Sequence, residues 1–517
     1  MAGMPSITEF YDGRSLFITG VTGFMGKVLL EKLLRACPRI RSCYVLIRPK
    51  RGQSVAQRLE GLLNSKLFDK VKIVNPDYAS KVIAVEGDIM EPNFGICEED
   101  EQKVCRDVSV VFHSAATVKF DEEMKLSVQM NVIGVKRLLE LCHKINKLDA
   151  VVHVSTAYAN CDKEVVAERV YEPPLHPEKL VEAVEWMDNA ALNVLTKKLV
   201  GPRPNTYTYT KAMAEFLLLE GCGQLPVAIV RPSIVGATYK EPLPGWVDNF
   251  NGPTGLLAAI GKGVLRIMHG NFHGTADVIP CDIATNLMIT AAWYTGTSKP
   301  TKVPVFNNTT GQINKFTWGE MERMAFQYFM KNPVDVVARV PNPRFTKSTY
   351  WKNVNVLFDH VLPAYLMDFY MYLIGKKRIF VKIQDRLWKA VTTLEFFTSR
   401  EWKFENNNIF MLLDKMSESD RETFDFDARH IDWSSYMENY CLGTKQFVLK
   451  EELDQLPKAR RALHRMKQIQ FVINAVLVVV IWRVLVTRVG VARSLWNLVL
   501  SWVIWLYQKI PRFGRAS

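Results

Sequence analysis

Residues 15–37 read SLFITGVTGFMGKVLLEKLLRAC and hold the pattern that decides the fold of this chain. A short β-type run leads into three glycines, Gly20, Gly23 and Gly26, and a segment with helical periodicity follows them. Glycines let the backbone turn tightly and approach a pyrophosphate, and the start of the next helix offers free N–H groups. This strand, turn and helix therefore predict a dinucleotide site. The predicted cofactor-binding residues of the turn are Thr19, Gly20, Thr22, Gly23, Phe24, Met25 and Gly26.

The alternation of β-type runs and helical segments continues through the first half of the chain. Strands are predicted at residues 15–18, 42–47, 81–85, 109–112, 150–154 and 227–230, and helices at residues 131–143 and 205–219. Strands that alternate with helices form right-handed βαβ units around a parallel sheet. The predicted fold class is therefore α/β, a Rossmann-type doubly wound parallel sheet, with a mostly helical C-terminal domain and a C-terminal membrane anchor.

The chain has 517 residues, more than one ordinary core holds, so at least two domains are expected. Apolar residues make up 48% and charged residues 23%, a globular composition. The pattern changes near Trp318, after which aromatic residues and leucine recur with helical spacing. We predict a cofactor-binding domain with the substrate region at 1–320, a helical domain at 321–465 and a basic, hydrophobic membrane-anchoring tail at 466–517.

The tail combines a basic cluster with an apolar run. Lys458, Arg460 and Arg461 precede the apolar residues 469–486, which are close to the lower limit of the ~20 residues that a spanning helix needs. A second apolar stretch, 495–507, carries three tryptophans, as interfacial segments often do. Basic residues on the N-terminal side predict that the bulk of the protein faces the cytosol. A buried pair of core helices is the alternative interpretation.

The net charge and the cysteines indicate which kinds of partner the protein binds. A net charge of +13 suits nucleic acid, an anionic membrane surface or an anionic substrate. The basic residues thicken near the C-terminus, which favours a membrane and phosphate-bearing ligands, so no nucleic acid partner is predicted. Nine cysteines without a C-x-x-C motif predict reduced thiols and no metal site. The first residues, MAGMPSITEF, lack a basic segment followed by an apolar core, so no secretory signal is predicted.

The end of the second predicted strand indicates which dinucleotide binds. Many NAD sites carry an acidic residue here for the ribose 2′-hydroxyl, whereas this chain has Arg48-Pro49-Lys50. A guanidinium suits a 2′-phosphate through charge-assisted hydrogen bonds, so NADPH is the predicted cofactor, with Arg48 and Lys50 in its site. Lys50 also fits a solvated surface position. Asp88 follows the third strand, where it could accept from the adenine amino group or serve as a turn residue.

Tyr207 and Lys211 form a Y-x-x-x-K pair that shares one helix face. An ammonium near a phenol lowers the phenol pKa, and the phenol can donate a proton to an oxygen that gains charge as hydride arrives. Ser155 and Thr156 end the fifth predicted strand, where a hydroxyl can hydrogen-bond the same oxygen. Thr156 is preferred and Ser155 is the second choice, although strand-end hydroxyls also satisfy the backbone.

Three more residues complete the predicted cofactor site. Asn131 could hold a backbone group or water in a proton relay, or cap a helix. Ala115, in FHSAA after the fourth strand, would line the cleft as a small residue. Pro232, in IVRPS after the sixth strand, is the last predicted member of the set.

The segments TGVTGFMG, FHSAATVKF, HVSTAYAN, YTYTK and IVRPSIVGA occur in the order seen in extended short-chain dehydrogenases. Longer segments are more specific. Residues 230–255, 278–286 and 440–452, together with KVLLEKLLR after the glycines, resemble alcohol-forming fatty acyl-CoA reductases. The resemblance covers nearly the whole chain.

The resemblance implies NADPH-dependent reduction of long-chain fatty acyl-CoA to a fatty alcohol, through an aldehyde and with release of CoA, for ether-lipid or wax synthesis. It implies that Tyr207 and Thr156 stabilise the oxyanion and that Lys211 keeps Tyr207 acidic. It also implies a peroxisomal membrane, and a homo-oligomer is compatible with it. Candidates for the CoA phosphates are Lys240, Lys262 and Arg266.

Other functions share part of this pattern. A membrane-bound sterol 3β-hydroxy dehydrogenase would share Tyr207, Lys211 and the anchor, but residues 230–255 and 440–452 argue against it. A catalytically silent NADPH-binding scaffold would need only the glycines. The apolar segment 360–377 is predicted to form an acyl tunnel, a membrane-facing entrance or ordinary core.

Overall fold

The computed structural model describes residues 4–509 of the chain. Its strands are β1 (Ser15–Thr19), β2 (Ser42–Ile47), β3 (Val82–Glu86), β4 (Val108–His113), β5 (Ala150–Val154), β6 (Val165–Val166), β7 (Val227–Pro232), β8 (Ile234–Gly236), β9 (Met268–His269), β10 (Val278–Pro280), β11 (Val305–Asn308), β12 (Phe345–Thr346) and β13 (Lys403–Phe404).

The α-helices of the N-terminal part are α1 (Ile7–Tyr11), α2 (Phe24–Ala36), α3 (Val55–Leu63), α4 (Asp69–Val74), α5 (Glu98–Asp107), α6 (Met124–Val128), α7 (Gly134–Lys144), α8 (Pro177–Trp186), α9 (Asn189–Val200), α10 (Thr206–Gly221), α11 (Pro253–Gly261) and α12 (Cys281–Ser298). Those that follow are α13 (Trp318–Lys331), α14 (Thr349–Asn355), α15 (Leu362–Leu373), α16 (Phe380–Thr398), α17 (Asn407–Lys415), α18 (Glu418–Thr423), α19 (Trp433–Gly443), α20 (Leu456–Arg488) and α21 (Gly490–Lys509). π-Helical turns lie at Gln129–Ile133, Val356–Val361 and Thr444–Val448.

A seven-stranded sheet with the order β11-β7-β5-β4-β1-β2-β3 forms the centre of the molecule, and its strand pairs are all parallel. The strand order reverses between β1 and β4. In open parallel sheets, ligands bind outside the carboxyl ends of the strands at such a switch point. The predicted doubly wound fold is confirmed, and it places the glycine turn after β1 at this crevice.

Apolar side chains cover both faces of the sheet, as parallel sheets require. Strands β1, β5 and β7 are buried along their whole length. On one face, Leu29 of α2 and Leu287 of α12 belong to the same core cluster as Ile18. On the other face, Leu138 of α7 and Met213 of α10 pack in a second cluster. The two helical layers hold the strand ends in fixed positions.

The predicted elements agree with the structure to within a few residues at each boundary. Strands β2 and β5 match the predicted limits. The helix predicted at 131–143 starts instead as the π-helical turn Gln129–Ile133 and continues as α7. Strand β11 at the sheet edge was not predicted, because its four residues lie far from any recognised motif.

The part that follows β11 is mostly helical and contacts the sheet domain. Strand β13 pairs with β6. The Asn406 side-chain amide donates to the Asn307 carbonyl (2.6 Å), and the Glu168 carboxylate accepts from the Asn408 amide (2.6 Å). These bonds tie the start of α17 to the edge of the sheet. The division at 1–320, 321–465 and 466–517 stays a prediction.

Helix α20 contains the predicted apolar run 469–486. Within residues 4–509 it is the one helix that is long and apolar enough, by length and composition, to cross a membrane. Near its start Ala459 and Leu463 are buried, whereas its apolar run is exposed. The Arg493 side chain donates to the Thr487 carbonyl (2.7 Å), where α20 gives way to α21. The last predicted tail residues, 510–517, lie outside the described residues.

Candidate active site

A cavity of about 540 Å³ lies at the carboxyl ends of the central strands. The predicted site residues that line it are Gly20, Thr22, Gly23, Phe24, Met25, Gly26, Ser155, Thr156, Tyr207, Lys211 and Pro232. They come from the β1–α2 turn, the end of β5, the start of α10 and the end of β7. The topology thus brings together motifs that are separated by more than 200 residues in sequence.

The glycine turn has room for backbone only. Gly20 has φ +77°, and a Cβ atom there would lie 2.7 Å from the Ala115 amide nitrogen. A Cβ atom on Gly26 would overlap the Gly20 carbonyl, so α2 packs directly against the turn. Within the described range no side chain caps the start of α2, and its first turn carries no acidic residue. These features fit a pyrophosphate bound at a helix N-terminus.

Thr19 and Ala115 support this turn from behind the cavity lining. The Thr19 hydroxyl lies 2.8 Å from Nδ1 of His113. It also accepts a long hydrogen bond from the Ala115 amide (3.4 Å), and the Ser114 hydroxyl donates to the Thr19 carbonyl (2.9 Å). These bonds link the ends of β1 and β4 and hold the glycine turn at the switch point.

Arg48, Lys50 and Asp88 lie beyond the ends of β2 and β3, outside the cavity lining. Arg48 is 61% exposed, and its guanidinium lies 3.7 Å from the Asp88 carboxylate. Asp88 also accepts from the Met90 amide (3.1 Å), which is the turn role considered for it. Because β2 is adjacent to β1, Arg48 shares a sheet edge with the glycine turn. An exposed guanidinium there fits a 2′-phosphate.

Helix α10 positions Tyr207 and Lys211. The Asn205 side chain accepts from the Thr208 amide (2.9 Å) and caps the helix, so Tyr207 lies in the first turn and Lys211 one turn later. Lys211 is only 3% exposed, and its ammonium donates to the Val154 carbonyl at the end of β5 (2.7 Å). Burial lowers the pKa of Lys211 to about 8.

The Tyr207 phenol is protonated in this setting. Burial raises the pKa of Tyr207 to about 12, and a hydrogen bond with the Thr156 side chain offsets part of that rise. The prediction that Lys211 lowers this pKa is wrong. Desolvation of the phenol raises the pKa instead, so Tyr207 is suited to donate a proton rather than to accept one.

The two strand-end hydroxyls differ in their contacts. Thr156 is hydrogen-bonded to Tyr207 and also accepts from the Tyr158 amide (3.3 Å). The Ser155 hydroxyl is buried and has no hydrogen-bond partner among the residues that the structure describes. An unpaired buried hydroxyl costs free energy unless a ligand pairs with it. Thr156 therefore positions the phenol, whereas Ser155 is free to meet a ligand in the cavity.

Asn131 holds the backbone beside the cavity. Its side-chain oxygen accepts from the Thr117 amide (3.0 Å), and its amide donates to the Thr210 hydroxyl (3.1 Å). The N-cap of α7 is Ile133, so Asn131 is not the cap of that helix. Of the roles considered for it, these contacts match the one in which it fixes a backbone group.

His113 and His153 form a stacked pair beneath the site, with ring centroids 5.4 Å apart. Both are fully buried, and burial together with the Lys211 charge lowers the pKa of His113 to about 3 and that of His153 as well. Both imidazoles are therefore neutral at physiological pH. They pack under Lys211 and are not cationic acids.

Several lining residues escaped the sequence analysis. The Phe120 ring centroid lies 5.8 Å from that of Tyr207 and 5.6 Å from that of Phe397 of α16. A further group of missed lining residues lies in the segment 230–255, one of the segments on which the family resemblance rests. Those missed lining residues are Ser233, Ile234, Val235, Asp248, Asn249, Asn251 and Gly252. No local pattern could have placed Phe397 in the cavity, because it lies about 190 residues after Tyr207.

The residues considered for the CoA phosphates lie outside this lining. Arg266 is buried, and its guanidinium donates to the Val340 carbonyl (2.7 Å). Lys240 lies 3.9 Å from the Asp425 carboxylate. Arg266 is thus a structural residue, because its cation is engaged inside the protein.

Comparison with known proteins agrees with this site. Two family models, both described as male sterility protein, match residues 18–288 and 359–451. The chain is 45% identical over 514 residues to fatty acyl-CoA reductase 1 of Mus musculus, covering 99% of each chain. It is 42% identical over 518 residues to fatty acyl-CoA reductase 2 of the same species, again covering 99% of each. The chain belongs to the fatty acyl-CoA reductase family. The predicted resemblance is confirmed over the full length.

Solved structures share the fold at low identity. The terminal R domain from the myxalamid biosynthetic pathway superposes with a TM-score of 0.57 at 18% identity, covering 86% of this chain and 93% of that domain. The reductase domain of a nonribosomal peptide synthetase from Mycobacterium tuberculosis gives a TM-score of 0.56 at 18% identity, covering 87% and 94%. These likenesses show the same overall α/β fold.

Proposed function

We propose that the protein reduces long-chain fatty acyl-CoA to fatty alcohol, with NADPH as the reductant and with release of CoA. The observation that carries this proposal is the convergence of Tyr207, Thr156 and Lys211 in one cavity beside the glycine turn. Family membership supports the substrate class, because the relatives are named fatty acyl-CoA reductases. A silent scaffold would have no use for the Thr156–Tyr207 hydrogen bond or for a buried Lys211.

The chain offers a fitting site for NADPH. The backbone of the Gly20–Gly26 turn and the open start of α2 suit the pyrophosphate, and Arg48 suits the 2′-phosphate. When bound, NADPH supplies the hydride. The Lys211 ammonium has three N–H groups. One donates to the Val154 carbonyl, so the other two can donate to the ribose hydroxyls.

The residues of the cavity then handle the oxygen of the thioester. As the carbonyl carbon gains hydride, its oxygen gains an electron pair, and the protonated Tyr207 donates its proton to that oxygen. Thr156 keeps the phenol in position, and the unpaired Ser155 hydroxyl can donate to the same oxygen. When the C–S bond of the resulting hemithioacetal breaks, its hydroxyl gives up a proton, the CoA thiolate takes up a proton, and an aldehyde and the CoA thiol remain. A second hydride and a second proton convert this aldehyde to the alcohol.

The cavity wall also suits an acyl chain. Phe24, Met25, Val118, Phe120 and Phe397 supply apolar surface beside the polar groups. Apolar walls with a few convergent polar groups are typical of sites that orient an apolar ligand. The thioester would thus lie at Tyr207 and the chain along the aromatic side.

The setting in the cell is part of the proposal. Helix α20 would anchor the protein in a membrane, with the catalytic domain in the cytosol on the side of the basic cluster that starts at Lys458. The peroxisomal membrane and a role in ether-lipid or wax synthesis are proposed by family resemblance. The division into 1–320, 321–465 and 466–517 is proposed from the change in sequence pattern near Trp318 and from the apolar tail. Self-association of the full chain is also part of the proposal.

The test is NADPH oxidation by membranes that carry the full chain, with palmitoyl-CoA or stearoyl-CoA supplied and the lipid products separated. We expect fatty alcohol at two NADPH per CoA released. Tyr207→Phe should lose about 10²-fold or more in rate, because the proton donor is gone. Tyr209→Phe is the matched control, since Tyr209 is buried on the same helix and its hydroxyl has no partner among the described residues.

The outcomes separate the parts of this proposal. Free aldehyde at one NADPH per CoA would keep the site but shorten the reaction. An equal loss in Tyr207→Phe and Tyr209→Phe would show that the assigned proton donor is wrong. No oxidation with either acyl-CoA would overturn the proposed function.

A further inference from the structure

Helix α15 carries an apolar face that no protein segment within residues 4–509 covers. Its sequence, LPAYLMDFYMYL, has one charged residue, Asp368. Leu366, Phe369 and Leu373 are 58%, 60% and 65% exposed. A helix that is apolar all round is normally buried in a core or a membrane, and large exposed apolar patches mark interaction sites. We call the exposed apolar side chains of α15 the apolar face.

The apolar face stands on a folded helical hairpin. The buried Asp368 carboxylate accepts from the backbone amides of Ile379, Phe380 and Val381 (2.8, 2.9 and 3.0 Å) and so caps the start of α16. At the base, the Lys352 ammonium donates to the Glu395 carboxylate (3.1 Å). The Asp368 bonds hold α15 to α16, and the Lys352–Glu395 bond holds α14 to the far end of α16.

Basic residues follow the apolar face directly. Residues 376–389 contain six basic side chains and one acidic side chain, all exposed. The six are Lys376, Lys377, Arg378, Lys382, Arg386 and Lys389. An apolar helix surface next to cations matches a lipid leaflet with anionic head groups, because the apolar side chains enter the acyl region and the cations meet the phosphates.

The tail helix leaves the protein near this hairpin. The Arg460 side chain of α20 donates to the Lys331 carbonyl (2.9 Å) and to the Asn332 side chain (3.0 Å). Further along the same segment, the Arg339 guanidinium lies 3.5 Å from the Asp359 carboxylate, just before α15. Lys331 and Arg339 are eight residues apart and so at most about 28 Å apart. The start of α20 and the start of the hairpin thus contact the same short segment of the chain.

Helix α16 connects the hairpin with the cavity. It starts at Phe380, beside the capped end of the hairpin, and its last turns supply Leu394 and Phe397 to the cavity lining. The length of this helix is about 28 Å. Phe397 contacts Phe120, which contacts Tyr207. Helix α16 therefore joins the exposed hairpin to the cavity wall on which Phe120 lies beside the proposed proton donor.

We propose that the apolar face of α15 inserts into the leaflet of the membrane in which α20 is anchored, and that an acyl chain passes from this leaflet along α16 into the cavity. The protein would then contact the bilayer at two places. Insertion rests on the exposed apolar face, the basic residues beside it and the proposed anchoring by α20, whereas the acyl route rests in addition on the proposed reaction.

Insertion is tested with nitroxide labels on the full chain in vesicles of phosphatidylcholine with a minority of phosphatidylserine. The label is placed by Leu366→Cys, after Cys97→Ser and Cys105→Ser remove the more accessible thiols. Controls are Ile73→Cys and Val194→Cys, at apolar positions that are 81% and 79% exposed. We expect the Leu366 label to collide more with oxygen and less with a water-soluble nickel chelate than the controls do. Equal nickel access would overturn insertion, and protection from both quenchers would show a protein partner instead of lipid.

The acyl route is tested by changing the same face. A triple variant, Leu366→Glu with Phe369→Glu and Leu373→Glu, should raise the KM for stearoyl-CoA on vesicles several-fold and leave the rate with hexanoyl-CoA unchanged. The matched control replaces Ile73, Trp186 and Val194 by Glu at comparably exposed positions. An unchanged KM for stearoyl-CoA would overturn the route. If the wild-type chain oxidises NADPH with neither substrate, the proposed function fails, while the nitroxide result still decides insertion.

Discussion

Folded proteins usually bury apolar side chains and expose polar ones. The cavity and the hairpin of α15 and α16 both depart from this rule, in opposite ways. In the cavity polar groups are buried, with Lys211 desolvated and the Ser155 hydroxyl unpaired among the described residues. On the hairpin, large apolar side chains such as Leu366 and Phe369 face outward. Each departure costs free energy in the isolated protein. In the cavity a bound polar cofactor would pair the buried polar groups. At the hairpin an apolar medium would cover the exposed apolar side chains.

This difference explains why the two regions should respond to different variants. Polar changes in the cavity should alter the chemical step and leave membrane insertion alone. Apolar-to-charged changes on α15 should alter membrane contact and leave the chemical step alone. Variants that moved both properties would break the comparison.

The largest effect is expected for Lys211→Met. This change removes the cation beside the proton donor and its hydrogen bond to the Val154 carbonyl, so kcat/KM should fall about 10²- to 10⁴-fold. Thermal unfolding should occur at a similar or higher temperature, because a desolvated ammonium is replaced by an apolar side chain. The nitroxide at Leu366 should show the same depth as in the wild-type chain. A shift in that depth would contradict the separation of the two regions.

A smaller effect is expected for Arg48→Ala. If its guanidinium binds the 2′-phosphate, the KM for NADPH should rise about 10- to 100-fold, as expected for hydrogen bonds to a charged group, and the KM for NADH should change little. Lys147→Ala is the control, since Lys147 is an exposed cation just before β5, at the opposite end of the strands from the glycine turn. Steady-state kinetics with both cofactors measure the preference. Equal rises for NADPH and NADH would show that Arg48 supports the fold and not the phosphate.

Thr156→Ala and Ser155→Ala divide the roles of the two hydroxyls. Thr156 is hydrogen-bonded to Tyr207, so its loss should lower kcat about tenfold. Ser155→Ala should increase the free energy of unfolding slightly, because it removes a buried hydroxyl that is unpaired in the described chain. Its effect on kcat reports directly on whether Ser155 contacts the reacting oxygen. An effect of Ser155→Ala larger than that of Thr156→Ala would reverse the assignment of roles.

Most of the cavity could be predicted from the sequence, whereas little of the hairpin could. The glycine turn and the Tyr207–Lys211 spacing are local patterns, and the parallel sheet brings them to one edge, so their meeting was predictable. Phe397 reaches the cavity through the packing of α16, which no local pattern encodes. The pKa of Tyr207 was predicted in the wrong direction, because desolvation depends on the tertiary structure. The sequence could not show whether the segment 360–377 lies in the core or at a membrane surface, because both environments favour the same apolar residues.

The smallest effect, on pH, tests whether the buried cation is needed. Burial sets the pKa of Lys211 at about 8, below its ordinary value, so its positive charge is present below that pH and lost above it. Tyr207, with a pKa of about 12, stays protonated throughout this range. We therefore expect kcat/KM to be constant below about pH 7, to halve near pH 8 and to fall further above it. The residual activity of Lys211→Met should lack this fall.

Stability should change with pH in the opposite direction. Between about pH 8 and 10 the folded chain binds fewer protons at Lys211 than the unfolded chain does. The free energy of unfolding of the wild type should therefore rise with pH relative to that of Lys211→Met. A parallel loss of activity and of this relative stability above pH 8 would mean that unfolding, and not the charge of Lys211, limits the enzyme.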